Sequence, residues 1–328
     1  MVGKTTFGVL AAAVGLVVLA FGAVGCDSDG SKAGDEDRID VVVTTTMLED
    51  TVQQLGGEHF QVHSLVSVGG DPHVYQPQPE DARTVAESDA VIKNGLMLEG
   101  WMESLIRNAG GERPVIVGGE AIDEEKLISV EGATDPHVWF DVGMWRQVTD
   151  TVAEGMKEVA DDSEVVEEIE QRHAAYDEML AGLDQWVQDR MESVPDDHRV
   201  LITSHDALNY FGQAYGIDVE AVQGLSTEQE ASQRDVANIV DLVEETNAPA
   251  VFTETSVNPG LIEQVARETG AEREGPLFSD SVGPAGSGAD TYVGMVQANV
   301  EMITEALGGD YEKFDDGFAS ADADGDGA

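Results

Sequence analysis

Cysteine is almost absent from this sequence: Cys26 is the only one among 328 residues. A disulfide needs two cysteines, and finger-type zinc sites need several thiolates, so both are excluded. Cys26 also lies directly after an apolar N-terminal stretch, so no cysteine remains for catalysis in the rest of the chain. A covalently attached lipid is the role that fits a single cysteine at this place.

Basic residues are also scarce, with 17 Lys and Arg against 65 Asp and Glu and a net charge of −48. Nucleic acid is therefore excluded as a partner, because phosphates are bound by clustered Lys and Arg, and an anionic membrane surface would repel the chain. The 41% of hydrophobic residues recur in periodic runs, which excludes a disordered acidic protein. Such acid enrichment predicts exposure to high salt, where ions screen the self-repulsion.

Two catalytic or nucleotide-binding patterns are missing as well. The sequence has neither a Walker loop nor a Gly-x-Gly-x-x-Gly motif after a strand, which argues against nucleotide binding. Ser204, His205 and Asp206 are consecutive residues whose side chains point in different directions, so they cannot form a hydrolase triad among themselves.

The N-terminus is typical of a secreted lipoprotein. Lys4 precedes an apolar stretch that ends just before Cys26, which predicts a signal peptide over residues 1–25 with a lipoprotein cleavage box. Acyl chains on Cys26 would hold the protein at a membrane, and residues 26–39 would form the lipidated cysteine and an acidic tether. A retained membrane-spanning anchor and an ordinary signal peptide are the alternatives.

Short β-branched runs alternate with helical patterns in two parts of the chain, from Asp40 to about Asp141 and again from Val200 to Leu307. This alternation predicts parallel β/α units. Between them lies a helix to about Val159 and then a long helical pattern whose predicted N-cap is Asp161. We expect an α/β protein whose two lobes have parallel sheets and are joined by a long backbone helix. Its predicted parts are an N-terminal lobe (40–160), a linking helix (161–195), a C-terminal lobe (196–308) and an acidic disordered tail (309–328).

Two short segments are nearly alike, Asp71-Pro72-His73-Val74-Tyr75 and Asp135-Pro136-His137-Val138-Trp139. A third histidine, His205, follows an apolar run, and the carboxylate of Asp280 follows a later one. In open α/β sheets ligands collect at the carboxyl ends of strands. We therefore expect His73, His205 and Asp280 to meet there with His137, in the cleft between the lobes.

Three imidazoles and one carboxylate satisfy a four-coordinate zinc ion. Calcium and magnesium prefer oxygen ligands and copper(I) prefers sulfur, whereas manganese(II) and iron(II) remain alternatives if Asp280 binds through both oxygens. Asp71 or Asp135 is expected to accept the second ring N–H of the nearby histidine. We expect Tyr75 and Trp139 to be walls of the cleft, and Glu254 to be a polar residue on its rim.

The other histidines are interpreted as ordinary hydrogen-bonded or packed residues. They are His59, His63, His173 and His198, and His173 shares the apolar stripe of the long helix.

Several segments in the same order resemble the zinc/manganese solute-binding proteins of ABC importers, solute-binding family 9. They are Asp71–Pro77, Asp135–Asp141, Thr203–Tyr210, Gly224–Glu228 and Ser279-Asp280. The resemblance covers roughly residues 40–307. It implies two α/β lobes bridged by a long helix, with His73, His137, His205 and Asp280 as metal ligands at the lobe interface.

The resemblance also implies a function and a metal. The chain would be a monomeric receptor, not an enzyme, anchored outside the cytoplasmic membrane, that delivers metal to an ABC permease and its ATPase. Manganese-selective members carry a carboxylate where this chain has His205, which favours Zn²⁺, with Mn²⁺ as the alternative. Many zinc members have a histidine-rich loop in the first lobe, whereas Gly119–Thr134 has acids but no histidine.

Two other functions use the same residues. A zinc-dependent hydrolase would need an open coordination position and a general base. A metal-stabilised adhesin lipoprotein would unfold when its metal is removed, whereas a receptor keeps its fold when empty.

Overall fold

A computed structural model describes residues 38–229 and 231–315. The predicted signal peptide, Cys26 and nearly all of the predicted tether lie outside these residues, as do residues 316–328 of the predicted tail. Among the described helices, none combines the length and the apolar character that a membrane span requires.

The first half contains a four-stranded parallel sheet in the order β2-β1-β3-β4. Its strands are β1 (Ile39–Val43), β2 (Phe60–Ser64), β3 (Ala90–Lys93) and β4 (Val115–Val117). Helices α1 (Thr46–Gly56), α2 (Pro79–Glu87) and α3 (Met102–Ala109) connect them. Because side chains alternate along a strand, Val41 and Val43 of β1 face one core and Val42 faces another. The predicted parallel β/α arrangement is confirmed here.

A short hairpin and two helices follow the first sheet. Strands β5 (Ser129–Val130) and β6 (Ala133–Thr134) pair antiparallel within the segment that lacks histidine. Helix α4 (Val142–Val159) precedes the long helix α5 (Ser163–Ser193). The N-cap of α5 is Asp162, not the predicted Asp161, because the carboxylate of Asp162 accepts the backbone N–H of Glu164 at 2.8 Å.

Helix α5 spans both halves of the molecule. Its 31 residues extend about 46 Å at 1.5 Å per residue. Its buried stripe packs on α1 and α4 of the first half and on helices α6 (Asn209–Tyr215) and α9 (Tyr292–Ala306) of the second. The stripe consists of Ile169, Tyr176, Leu180, Leu183, Val187 and Met191. One continuous core therefore joins the two halves along this helix.

The second half repeats the β/α pattern. Strand β7 (Val200–His205) pairs parallel with β8 (Asp218–Gln223), and β9 (Ala250–Glu254) pairs parallel with β10 (Glu272–Leu277). Strands β7 and β9 lie side by side, and α7 (Gln233–Thr246) and α8 (Gly260–Thr269) cover them through a separate apolar core. The second α/β lobe predicted from the sequence is confirmed.

Strand β7 is longer than predicted. It was expected to end at Thr203, but His205 still pairs with Gln223 of β8. His205 is thus the last residue of the strand, which fixes its main chain within the sheet.

Residues 309–315 pack against α5, although the sequence predicts a disordered tail from residue 309. The indole N–H of Trp186 donates to the main-chain oxygen of Glu312 at 2.8 Å, and Arg190 donates to that of Asp310 at 2.8 Å. The ring of Phe314 lies 5.7 Å from that of Trp186. These contacts cover an aromatic side chain that α5 would otherwise leave open, so the ordered chain extends past the predicted boundary.

A chain that ends at Gly308 is therefore expected to be less stable than one that ends at Asp315. Two hydrogen bonds and the Trp186–Phe314 contact are lost, which we expect to lower the free energy of unfolding by about 1–3 kcal/mol. Urea unfolding of both chains measures the difference. Glu312→Ala in the longer chain is the control, since Trp186 binds a main-chain oxygen, and equal midpoints for the two chain lengths would contradict the packing.

Candidate metal centre

The four residues predicted to bind metal, His73, His137, His205 and Asp280, come together in the folded chain. Each offers one ligand atom, and these atoms all lie within 4.8 Å of one another. Nε2 of His73 is 3.1 Å from Nε2 of His137, and Nε2 of His205 is 3.6 Å from Oδ2 of Asp280. Residues that are distant in the sequence thus form one compact cluster.

Each half of the molecule supplies two of the four side chains. His73 lies in the loop between β2 and α2, and His137 begins the short helical turn Val138–Phe140 ahead of α4. His205 ends β7, and Asp280 follows β10. The cluster therefore lies where the two halves meet, as the sequence predicts.

The cluster is buried but open on one side. His137 and His205 are 0% exposed and Asp280 is 1% exposed, whereas His73 is 9% exposed. His73 borders an open pocket of about 600 Å³ that is lined from both halves, by Tyr75, Met97 and Trp101 and by Leu225 and Glu228 among others. A small cation would therefore reach the cluster past His73.

Two buried polar atoms of the cluster have no hydrogen-bond partner among the described residues. They are Nε2 of His205 and Oδ1 of Asp280. Buried polar atoms are nearly always paired, so two unpaired atoms that face one centre indicate that a cation completes them.

Asp135 fixes His137. Its Oδ1 accepts the backbone N–H of His137 at 2.9 Å and lies 2.7 Å from the ring Nδ1, so Nε2 faces the cluster. Asp135 is itself held by Asn209, which donates to Oδ2 at 3.0 Å, and by Tyr210, which donates to its main-chain oxygen at 2.9 Å. The predicted supporting role of this aspartate is confirmed.

Asp71 plays a different role from Asp135. Its Oδ1 accepts the backbone N–H of His73 at 2.9 Å, but its Oδ2 accepts the hydroxyl of Thr227 at 2.5 Å rather than the imidazole. The indole N–H of Trp101 donates to the main-chain oxygen of Pro72 at 2.8 Å. The His73 loop is thus tied down through its backbone, with one link to the second half.

Glu254 lies behind His205, and this contact was missed by the sequence analysis, which placed Glu254 on the cleft rim. Both side chains are 0% exposed. Oε1 accepts the backbone N–H of His205 at 2.8 Å, and Oε2 contacts the ring Nδ1. The rim prediction is wrong because β9 lies beside β7, so the end of β9 is covered. Its position at a strand end was the only signal in the sequence.

Asp280 is also oriented by hydroxyl groups that the sequence analysis did not identify. Ser256 donates to Oδ2 at 2.5 Å, and Ser279 donates to the same oxygen at 3.3 Å. The other oxygen, Oδ1, lies 3.8 Å from Nε2 of His137. The serines therefore leave Oδ1 facing the cluster.

Only one of the two predicted aromatic walls lines the pocket. Tyr75 borders it, with its ring 4.8 Å from that of Trp101. Trp139 is instead fully buried, and its indole N–H donates to the main-chain oxygen of Ser279 at 2.9 Å. The second prediction is corrected because Trp139 packs into the core between the halves, beside the ring of His137 at 5.2 Å.

The electrostatics of the cluster favour a positive charge. Burial, followed by the nearby His137, lowers the pKa of His73 to about 3. Burial acts the same way on His205, but Glu254 and Asp280 outweigh it and hold the pKa of His205 well above its ordinary value. Burial would raise the pKa of Asp280, yet the three histidines outweigh burial and lower it. Both carboxylates therefore act as anions toward whatever cation lies between them.

The remaining histidines have ordinary partners. His59 pairs with Glu168 at 2.8 Å and His173 with Asp150 at 3.1 Å. The others contact Asp40 (His63) and the main-chain oxygen of Leu307 (His198). Among the described residues, none of these four histidines joins a group that could hold a metal.

Comparison with known proteins agrees with this arrangement. Residues 41–306 match the family model ZnuA, described as zinc-uptake complex component A, periplasmic. The manganese-binding lipoprotein MntA of Bacillus subtilis (strain 168) is 36% identical over 298 residues, covering 88% of this chain and 95% of MntA. The metal ABC transporter substrate-binding lipoprotein FimA of Streptococcus parasanguinis is 30% identical over 302 residues, covering 89% of this chain and 96% of FimA.

A solved structure shows the same fold. The periplasmic zinc-binding protein TroA from Treponema pallidum superimposes with a TM-score of 0.79 and 34% sequence identity, covering 82% of this chain and 99% of TroA. The two-lobe α/β fold with a long helix is thereby confirmed. By its matched residues, its relatives and its fold, the chain belongs to the ZnuA family of metal-binding solute receptors.

Proposed function

We propose that the protein captures Zn²⁺ outside the cytoplasmic membrane and delivers it to the permease and ATPase of an ABC importer. Family membership makes the chain the substrate-binding component of a metal ABC transporter. The observation that carries the choice of cargo is the buried cluster of three imidazoles and one carboxylate with ligand atoms within 4.8 Å. This set of donors suits four-coordinate zinc better than manganese, which prefers oxygen.

Manganese is the alternative cargo. MntA is named for manganese and TroA for zinc, so the family accommodates both. The position of His205 favours zinc, since an imidazole is a better ligand for zinc than for manganese. Asp280 binding through both oxygens would favour the larger coordination number of manganese.

A hydrolase using the same residues is disfavoured by the contacts around the cluster. Catalysis requires an open coordination position and a nearby general base. Four protein ligands fill a tetrahedral site, and the two neighbouring buried carboxylates, Asp135 and Glu254, already engage His137 and His205. An adhesin whose metal is structural is disfavoured because the core that joins the halves is apolar and lies apart from the cluster.

The location outside the membrane is proposed from the sequence and the relatives together. MntA and FimA are both named lipoproteins. We propose that residues 1–25 are removed and that Cys26 carries the lipid, with residues 26–39 as tether and with the division into two lobes at 160 and 195. Mass spectrometry of the N-terminal peptide tests the lipid, and sedimentation tests the proposed monomer.

Metal titration tests the proposed function. We expect one zinc ion per chain and weaker manganese binding, and we expect His205→Glu to shift the ratio of zinc to manganese affinity toward manganese by at least about tenfold, or about 1.4 kcal/mol. The physical reason is that a carboxylate is a harder ligand than an imidazole. Competition calorimetry with the metal-stripped protein in molar salt measures both affinities, and a repeat in dilute buffer tests the high-salt environment.

His63→Glu is the matched control, because His63 is partly exposed and lies outside the cluster. It is expected to leave both affinities unchanged. If wild-type protein binds no stoichiometric metal, the proposed function is wrong. Circular dichroism of the stripped protein separates a receptor from the adhesin alternative, since only the receptor keeps its fold.

A further inference from the structure

The carboxylate of Glu254 engages a single residue with both of its oxygens. Oε1 accepts the backbone N–H of His205 at 2.8 Å, while Oε2 contacts Nδ1 of the ring, and both side chains are fully buried. The two residues end the neighbouring strands β9 and β7. Glu254 is not among the four residues that face the cation, so any effect on the metal must act through His205.

This contact selects the form in which His205 binds metal. A neutral imidazole carries its proton on one nitrogen and its free lone pair on the other. With Nδ1–H directed at Glu254, the lone pair is on Nε2, which faces Asp280 at 3.6 Å. A carboxylate behind a ligating imidazole also makes the imidazole a stronger ligand.

The three imidazoles are not held in the same way. Asp135 grips the backbone and the ring of His137, as Glu254 grips His205. Asp71 grips only the backbone of His73. Because Asp135 comes from the same short motif as His137, the ring of His205 is the one whose orientation depends on a carboxylate from a distant strand.

We infer that Glu254 is a positioning residue that sets the metal preference of the site by holding His205 as an Nε2 donor. The inference rests on the proposed function, which supplies the cargo. Imidazole contributes more to the binding of zinc than to that of manganese. Weakening one imidazole should therefore cost zinc more than manganese, and the ratio of the two affinities reports on the role of Glu254.

Glu254→Gln is the sharpest test because the side chain keeps its size. An amide has one acceptor oxygen, so it can accept only one of the two N–H groups that Glu254 now accepts. We expect zinc affinity to fall about 10–100-fold, as is usual when the outer partner of a ligating histidine is lost. Manganese affinity should fall less, so the ratio of zinc to manganese affinity falls.

Glu99→Gln is the matched control. Glu99 is another buried carboxylate, and it accepts the backbone N–H of Asn94 at 2.7 Å and the hydroxyl of Thr44 at 2.5 Å without touching the cluster. Its replacement is expected to lower stability and to leave the ratio of affinities unchanged. Glu254→Asp, which restores the charge on a shorter side chain, is expected to recover part of the zinc affinity.

The experiment is competition calorimetry with zinc and manganese on the four proteins, after unfolding curves have confirmed that each metal-free protein is folded. An unchanged ratio in Glu254→Gln, or equal losses for both metals, would overturn the inference while wild-type binding remains intact. Failure of the wild-type protein to bind zinc would instead overturn the proposed function. If Glu254→Gln does not fold, Glu254→Asp decides, since a ratio equal to that of wild type then overturns the inference.

Discussion

His137→Ala is expected to lower zinc affinity by more than about 100-fold. The change removes one of four ligands, which should exceed the 10–100-fold cost of losing an outer partner. His137 is central to the cluster, because its Nε2 lies 3.1 Å from that of His73 and 3.8 Å from Oδ1 of Asp280. The change also leaves the buried Asp135 without its ring partner, which adds to the loss. Calorimetry and measurement of bound metal after dialysis give the result.

The control for this prediction is His173→Ala. His173 lies on α5 and pairs with Asp150, away from the cluster. Its replacement should leave one zinc ion per chain at wild-type affinity. Retention of zinc at wild-type affinity by His137→Ala would show that the cluster is not the binding site, even if the wild-type protein binds metal.

Trp139→Ala is expected to lower the free energy of unfolding by about 3–5 kcal/mol, the usual cost of removing a large buried aromatic side chain. The indole is fully buried between the halves and donates to Ser279. The main-chain oxygen of Trp139 accepts the hydroxyl of Tyr292 at 2.8 Å, which links it to α9. A loss of this size is a large part of the 5–15 kcal/mol that stabilises a typical domain. Denaturant unfolding of the metal-free protein measures it.

Trp186→Ala is the control for the core prediction. Trp186 contacts residues near the end of the described chain and is only partly buried, so its loss should cost less. Zinc affinity should also fall in Trp139→Ala, because Ser279 precedes Asp280 and its position depends on the indole. A stability change below about 1 kcal/mol would contradict the interpretation of Trp139 as a link between the halves.

Much of the fold could be predicted because its signals are local. The alternation in β1 appears in the sequence as consecutive β-branched residues, and the stripe of α5 appears as apolar residues at helical spacing. The boundaries were less certain: the N-cap of α5 moved by one residue and β7 extended to His205. Residues 309–315 were predicted as tail because nothing in their own composition shows that Trp186 awaits a cover.

The sequence by itself determined the donor types, the order of the β/α units and the support of His137 by Asp135, since each depends on residues close together in the chain. Only the tertiary structure decided that four distant side chains lie within 4.8 Å, that Ser256 orients Asp280 and that Glu254 holds His205 from 49 positions away. The physical reason is that these contacts depend on which strands are neighbours. The placement of β7 beside β9 follows from the packing of the whole core, and no local pattern encodes it.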